Sequence, residues 1–291
     1  MNYSYENKYY TCKYDRAFKE IFLKEKNKDL LKKLLEVILK IKIDNIKLRP
    51  NERNQENLKV KRKNYDALLE TNIGKIEIEL NSIINEYVRP RNMSYICDLY
   101  SHHTLINDNY NEDIMIIQVN LSYGLSKKYD LISEYNIQSD KREKYVKNFK
   151  IIEVNMDKYL GIWYDYVKEG TNKRLIDENN LIIMLGLEKE SLEMLSINYR
   201  EVKAYMEELN KINEDPEFRE YMTYEEDQKR IMNSLKREAL EQGLEQGLEQ
   251  GQLKARKEIA LSLLETNMSI GEISKITGLS SEEINNIKKE I

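Results

Sequence analysis

Two short segments carry acidic side chains in a pattern that could bind a metal ion. The runs Tyr65-Asp66-Ala67-Leu68-Leu69-Glu70 and Lys75-Ile76-Glu77-Ile78-Glu79-Leu80-Asn81 alternate with the two-residue period of a β-strand. The connector Thr71-Asn72-Ile73-Gly74 holds turn-forming residues. The segment therefore predicts a β-hairpin with one apolar face and one acidic face.

A loop of two or four residues places Asp66 directly opposite Glu79, and it places Leu68 opposite Glu77. Opposed side chains in an antiparallel pair lie about 5 Å apart at Cβ, so two carboxylates there repel unless a cation lies between them. Carboxylates without nearby His or Cys indicate a hard ion, Mg²⁺ or Mn²⁺, which could activate water against a phosphodiester. The alternative is a strand with ordinary acids on its solvent-facing side.

Basic residues flank these acids along the chain. Lys61 and Lys63 precede the Asp66 strand on one face, and Arg89 and Arg91 open the helix that follows Glu79. The N-terminus of a helix also favours anions, so these groups could hold a DNA backbone around the acids. The alternative is a solvated, lysine-rich edge that prevents aggregation.

The remaining pattern of the first half predicts an α/β core with a mixed sheet. Two helices are expected within residues 15–41, and a short strand within residues 44–48. Pro90 opens a helix whose predicted apolar face is Met93, Ile96, Cys97 and Tyr100. Residues 114–121 are nearly continuously apolar, which is typical of a strand covered on both faces, and a further short strand is expected at residues 150–155.

The second half is predicted to be helical. We expect a core at residues 1–155, a helical extension at 156–232, a helical linker at 233–256 and a small helix-turn-helix-like tail at 257–291. The linker repeats Leu-Glu-Gln-Gly three times from Leu240, and its glycines predict a weak helix that serves as a simple linker. The alternative is a helix stabilised by pairing with a partner chain. In the tail, Gly278 can end one helix, and Ser280 with Glu283 can form the capping box of the next.

Composition excludes several classes of protein. The net charge of −4 gives no overall attraction to nucleic acid. The two cysteines, Cys12 and Cys97, suggest no disulfide framework and fit a reducing cytoplasm, and no signal peptide or membrane span is expected. The two histidines, His102 and His103, are adjacent and cannot chelate one ion from a helix face. No glycine-rich loop follows a strand, so nucleotide binding has no support.

Several of these segments, in this order, resemble the PD-(D/E)XK nuclease family transposases, also called Rpn-type recombination-promoting nucleases. The resemblance is carried by Asp15-Arg16-Ala17-Phe18-Lys19, Tyr65-Asp66, Ile76-Glu77-Ile78-Glu79-Leu80-Asn81, Asn85-Glu86-Tyr87-Val88-Arg89-Pro90-Arg91-Asn92 and Tyr95. It extends to the glycine-punctuated repeat and the tail, and so covers nearly the whole chain.

The resemblance implies a restriction-endonuclease-like αβββαβ core and Mg²⁺-dependent DNA cleavage. Asp66 matches the first metal-binding acid and Glu79 the second, while Glu77 is an outer acid or a substitute ligand. The third position, lysine in the wider superfamily and often glutamine in this branch, is Asn81 here. An amide can hydrogen-bond water but supplies no charge, and Lys19 on the first helix is a candidate to supply it.

Three functions therefore remain open for this chain. The first is a cytoplasmic Mg²⁺-dependent DNA endonuclease linked to mobile DNA, in which water attacks the phosphodiester without a covalent intermediate. The second is a nuclease fold that binds DNA or a protein partner without cutting, since the lysine is replaced. The third is an assembly module that forms homo-oligomers through the Leu/Gly repeat and the C-terminal helices.

Overall fold

In a computed structural model of the full chain, the structure describes residues 8–49, 65–102, 114–266 and 268–289. Two compact units are present, Met1–Glu220 and Tyr221–Ile291. The elements of the sheet region are α1 (Asp15–Phe22), α2 (Lys28–Leu39), β1 (Ile46–Arg49), β2 (Ala67–Thr71), β3 (Gly74–Asn81), α3 (Val88–Ser101), β4 (Met115–Ser122), β5 (Ile132–Tyr135) and β6 (Phe149–Asn155).

The six strands form one mixed sheet in the order β1-β2-β3-β4-β6-β5. Strand β4 runs parallel to β3 and to β6, and the other neighbours are antiparallel. The predicted αβββαβ core is confirmed in the order α1–α2, β1–β2–β3, α3 and β4. Strand β6 confirms the strand expected at 150–155, whereas β5 was not predicted from the sequence.

The hairpin forms in the predicted register. Leu68 pairs with Glu77, and Thr71 pairs with Gly74, so the loop has two residues. Gly74 has a φ of +142°, and a Cβ built on it would lie 2.0 Å from the backbone oxygen of Met115. Only glycine fits this close approach between the hairpin and β4, and that contact fixes where the hairpin joins the sheet.

The polar face of the hairpin is buried, so the alternative of ordinary solvent-facing acids is wrong. The exposed fraction is 0% for Glu77 and 2% for Glu79. Helix α3 packs against β3 and β4 on this face. The carboxylates therefore need partners inside the protein, because an unpaired buried charge is very costly.

The buried face of α3 differs from the predicted one. The helix begins at Val88, and its buried residues are Val88, Asn92, Ile96 and Leu99. Met93 and Cys97 are exposed instead. The reason is that the part of the sheet beneath Asn92 is polar, so the helix turns this amide toward it. Farther along α3, Ile96 and Leu99 pack on apolar sheet residues such as Leu68 and Ile116.

The rest of the chain is helical, as predicted. The helices are α4 (Met156–Glu169), α5 (Lys173–Ile183), α6 (Lys189–Ser196), α7 (Arg200–Glu214), α8 (Pro216–Leu264), α9 (Ile270–Thr277) and α10 (Ser281–Lys289). The Leu-Glu-Gln-Gly repeat lies inside the 49-residue helix α8. No helix in the described ranges is both long and apolar enough to cross a membrane.

The tail forms its own small core. Ala260, Ile273, Leu279, Ile284 and Ile287 pack together there. Helix α9 ends at Gly278, whose φ is +71°, and this is the left-handed conformation expected for it. Glu283 and Ser280 exchange the hydrogen bonds of the predicted capping box. Short-range sequence signals therefore predict this turn correctly.

The two cysteines should differ sharply in reactivity. Both are free, but Cys12 is buried and Cys97 is exposed. Burial raises the pKa of the Cys12 thiol to about 12, so the reactive thiolate is scarce. We expect Ellman's reagent at pH 7.5 to modify one thiol rapidly in the native protein and the second only after unfolding. Cys97→Ser should abolish the fast phase, and two fast thiols would contradict the described packing of residues 8–14.

Candidate active site

The first two predicted acids meet at one end of the hairpin. Asp66 directly precedes β2, and its backbone N–H lies 3.4 Å from Oε1 of Glu79 on β3. The backbone N–H of Leu80 donates to Oδ2 of Asp66 at 2.8 Å. These two contacts hold the carboxylates of Asp66 and Glu79 close together at the end of the hairpin where β2 begins.

Lys19 brings a positive charge to this end of the hairpin from helix α1. Its Nζ lies 3.2 Å from Oδ1 of Asp66 and 2.8 Å from Oδ2 of Asp15. Asp15 and Lys19 are four residues apart, so both project from the same face of α1. The ammonium group of Lys19 thus connects the motif at residues 15–19 of α1 to the hairpin.

Arg91 brings a second positive charge from helix α3. Its Nη2 donates to Oδ1 of Asn81 at 2.7 Å and to Oδ1 of Asn92 at 3.0 Å. The same nitrogen lies 3.5 Å from Oε2 of Glu79. The side-chain amide of Asn81 donates in turn to Oγ of Ser122 at 3.0 Å. Both ends of the Asn81 amide are therefore bonded, and its oxygen orients Arg91 beside Glu79.

Glu77 lies deeper under α3 and has one oxygen without a partner. Its Oε2 accepts a hydrogen bond from Nε2 of Gln118 at 3.0 Å. Its Oε1 is buried and accepts no hydrogen bond from the described residues. Glu77 and Glu79 are two residues apart on β3, so both side chains lie on the same face of the sheet.

Burial dominates the electrostatics of this acidic pair. It raises the pKa of Glu79 to about 9, and the negative charges of Asp66 and Glu77 add to the shift while Arg91 opposes it. Burial likewise raises the pKa of Glu77 to about 8, against the hydrogen bond from Gln118. At neutral pH the metal-free site therefore retains protons that exposed carboxyls would release.

A row of polar side chains on β4 supports the site, and it was not predicted from the sequence. Gln118, Asn120 and Ser122 are buried and face α3. Asn120 accepts from the amide of Asn92 at 3.0 Å, and Ser122 donates to the carboxylate of Glu153 on β6. Alternating polar residues at the end of an otherwise apolar strand were the available signal, because a buried strand with one polar face needs polar partners.

The predicted DNA-binding residues lie in different surroundings. The Arg89 guanidinium carbon lies 5.1 Å and 5.8 Å from the ring centroids of Tyr129 and Tyr135, so its described contacts are aromatic. Arg91 joins the network around Glu79. Lys61 and Lys63 lie outside the described residues.

The donor set fits a hard divalent cation held mainly by two carboxylates. No group of three His, Cys, Asp or Glu side chains positioned to hold a metal occurs in the described part of the chain. Mg²⁺, however, is usually bound through one or two carboxylates, with waters and substrate phosphates completing its octahedron. Asp66 and Glu79 can supply those two carboxylates, and Oε1 of Glu77, which has no hydrogen-bond partner among the described residues, is a further buried oxygen that a cation or its bound water could satisfy.

Comparison with known proteins agrees with this geometry at the level of the family. No curated protein and no solved structure matches the chain significantly. The sequence model of the PD-(D/E)XK nuclease family transposases matches residues 12–239, which include α1, the hairpin, α3 and the whole sheet. The chain therefore belongs to the PD-(D/E)XK nuclease family transposases.

Proposed function

We propose that this protein is a Mg²⁺- or Mn²⁺-dependent DNA endonuclease that hydrolyses phosphodiester bonds and acts on mobile or recombining DNA. The observation that carries the proposal is the meeting of Asp66 and Glu79 at one end of the hairpin, with Lys19 and Arg91 beside them. Metal-assisted phosphodiester hydrolysis uses carboxylates to hold a cation and positively charged side chains to stabilise the phosphate. Both kinds of group are present here.

The acids have separate tasks in this proposal. Asp66 and Glu79 would hold the divalent ion, which when bound supplies Lewis acidity toward water and the scissile phosphate. Glu77 lies behind Glu79 under α3, and its hydrogen bond from Gln118 orients it as an outer acid. The raised pKa values of Glu77 and Glu79 mean that cation binding displaces protons from the pair.

The charge that Asn81 lacks would come from neighbouring elements. Lys19 contacts Asp66 from α1, and Arg91 contacts Glu79 from α3, so both can reach a phosphate held between the acids. The water-positioning role of Asn81 stays a prediction. Its two hydrogen bonds support a further role, which is to fix the guanidinium of Arg91 for the developing negative charge.

The DNA strand would be held by basic groups around the acids. Arg89 and Arg91 lie in the first turn of α3, where the helix N-terminus adds to their attraction for phosphate. Lys61 and Lys63 are proposed to extend this surface. We place the reaction in the cytoplasm, because Cys12 and Cys97 are free thiols that suit a reducing compartment.

A second candidate function is DNA binding without cleavage. It is favoured by one observation. Asn81 stands where the wider superfamily has a lysine, and its amide oxygen and nitrogen are both hydrogen-bonded, to Arg91 and Ser122. Binding without cleavage needs the basic surface but no water-activating ion. Nicking of supercoiled plasmid in Mg²⁺ or Mn²⁺ separates the two functions.

We also propose that the repeat in α8 pairs with a second copy of this chain. Leu240, Leu244 and Leu248 are 64–65% exposed. A Cβ built on Gly243 or Gly247 meets no described atom within 4 Å. The repeat thus presents leucines beside shallow glycine positions, and two copies could pack the leucines of each into the glycine groove of the other.

Loss of either metal-binding acid should abolish nicking of supercoiled plasmid. Asp66→Asn and Glu79→Gln remove a negative charge with little change in shape, and we expect the rate in Mg²⁺ to fall about 10²-fold or more. Arg91→Met should cost a similar factor, and Arg91→Lys should cost less because it keeps the charge. Gel assays of nicked plasmid with and without EDTA provide the measurement.

Asp140→Asn serves as the matched control, because Asp140 is exposed and lies on the loop after β5. Circular dichroism and melting curves establish that each variant is folded. Wild-type protein that binds DNA but leaves plasmid intact in both Mg²⁺ and Mn²⁺ would replace the nuclease proposal with the second function.

The metal-free protein should lose stability as pH rises through neutrality. The pKa of Glu77 is about 8 and that of Glu79 about 9 in the fold, against about 4.3 for an unfolded glutamate. Between these limits the folded state binds more protons, so the free energy of unfolding falls from about pH 4.5 to pH 9. Glu77→Gln keeps the partner of Gln118 and removes one titrating group, so its loss of stability should be smaller.

Urea unfolding in EDTA at pH 5.5, 7.0 and 8.5 measures this difference. Glu207→Gln, at an exposed position on α7, is the control and should follow the wild type. Equal pH slopes for the wild type and Glu77→Gln would mean that Glu77 is not protonated in the fold.

Pairing through α8 predicts a dimer in light scattering of the full chain. Leu244→Glu with Leu248→Glu should place charges in the interface and shift the mass to that of a monomer. Gln242→Glu with Gln246→Glu adds the same charge on the opposite side of the helix and should leave the dimer intact. A wild-type protein that is monomeric at micromolar concentration would refute the pairing.

A further inference from the structure

A second recess lies beside the acidic site, under the same helix. It is a cavity of about 240 Å³ between α3 and the strands β4, β5 and β6. Its lining includes Arg89, Met93, Asn120, Tyr135, Ile151 and Glu153. It is smaller than a typical drug-sized pocket, so it suits a compact ligand.

The strand register fixes the distance of this cavity from the acids. Glu79 on β3 pairs with Asn120 on β4, and Asn120 pairs with Glu153 on β6. These three side chains form one row across the same face of the sheet. Neighbouring strands lie about 4.8 Å apart, so Glu153 lies about 10 Å from Glu79. A group next to a phosphate bound at Glu79 can therefore reach the cavity.

The polar side of the cavity has hydrogen-bonding capacity to spare. Glu153 is 5% exposed, and its Oε1 accepts from Ser122. Its Oε2 accepts no hydrogen bond from any residue in the described ranges, and the charge of Arg89 acts on the carboxyl group from the rim. The amide nitrogen of Asn120 makes only a long bond of 3.4 Å to Gln118. An acceptor and donors thus meet at one wall.

The remaining walls are flat and apolar. Tyr135 and Ile151 pair across β5 and β6, and Met93 faces them from α3. The Arg89 guanidinium lies over the Tyr135 ring and closes one edge. Aromatic and guanidinium planes of this kind are the surfaces on which nucleobases stack.

These charges exclude the simplest ionic ligands. A phosphate in the cavity would face the carboxylate of Glu153, and a metal ion would face the guanidinium of Arg89. A neutral, planar ligand that offers N–H donors satisfies the carboxylate and stacks on the aromatic wall. Nucleobases with an exocyclic amino group have this chemistry, since Glu and Asp accept hydrogen bonds from such groups.

We propose that the cavity binds one unpaired nucleobase carrying an exocyclic amino group, from the nucleotide next to the scissile phosphate. Only the position of this nucleotide next to the scissile phosphate rests on the proposed function, because binding of the base alone requires no cleavage. It makes the preferred substrate a strand with an unpaired or extruded base, since a base inside an intact duplex cannot enter a cavity of this size.

Binding of mononucleotides to the full chain in EDTA tests the cavity without a metal-held phosphate. Isothermal titration with dGMP, dAMP, dCMP and TMP should give tighter binding for the three amino-bearing nucleotides, and inorganic phosphate should not compete. Glu153→Gln should weaken the best of them roughly tenfold, a loss typical of one specific base contact. Tyr135→Leu should weaken all four by removing the stacking surface.

Glu143→Gln is the control, because Glu143 is exposed on the loop between β5 and β6. Equal affinity for TMP and the amino-bearing nucleotides, or unchanged binding in folded Glu153→Gln protein, would overturn the inference. Competition by inorganic phosphate would overturn it too, by identifying a phosphate site. Plasmid nicking is scored separately, so base binding without nicking rejects the proposed function alone, and nicking without base preference rejects the cavity alone.

Discussion

The structure depends on burying a cluster of carboxylates in the middle of a sheet. Glu77 and Glu79 are almost wholly inaccessible, and Asp66 adjoins them at the end of β2. Withdrawing such charges from water is costly unless they are paired, protonated or bound to a cation. Lys19 and Arg91 supply part of the compensation from two different helices. The positions of α1 and α3 on the sheet are therefore tied to the electrostatics of the site.

Helix α3 links the acidic site to the neighbouring cavity. Arg91 points to Glu79, Asn92 bonds the amide of Asn120, and Arg89 lies at the cavity rim. Three of the four residues at positions 89–92 of α3 thus contact the strands of the sheet or line the cavity beside them. A helix that packs through hydrogen bonds in this way has a defined rotation, because a turn of one residue would leave several buried polar groups unpaired.

The features that were predicted from the sequence are those set by local rules. The hairpin register follows from strand alternation and a two-residue turn, and the tail follows from Gly278 and Ser280. The prediction of the buried face of α3 was wrong because the packing of this helix depends on the polar residues of β4, which come later in the chain. Glu153 was missed for the same reason, since only the pairing of β4 with β6 brings it into line with Glu79. The pairing of strands that are distant in the sequence cannot be predicted from the pattern of residues along the chain.

In the proposed nuclease, Asn81 lies where the resemblance to the wider superfamily implies a lysine, and its hydrogen bonds indicate how another residue can supply the charge. A lysine on β3 would carry its charge on a flexible stem from the strand itself, whereas here a planar guanidinium arrives from α3 and is held by three oxygen atoms, those of Asn81, Asn92 and Glu79. The amide at position 81 is suited to this because its oxygen accepts from Arg91 while its nitrogen is anchored on Ser122. A lysine there would place a second cation against the arginine. The charge at this site is thus set by how α3 packs on the sheet, so the polar packing of that helix is a condition for the proposed chemistry.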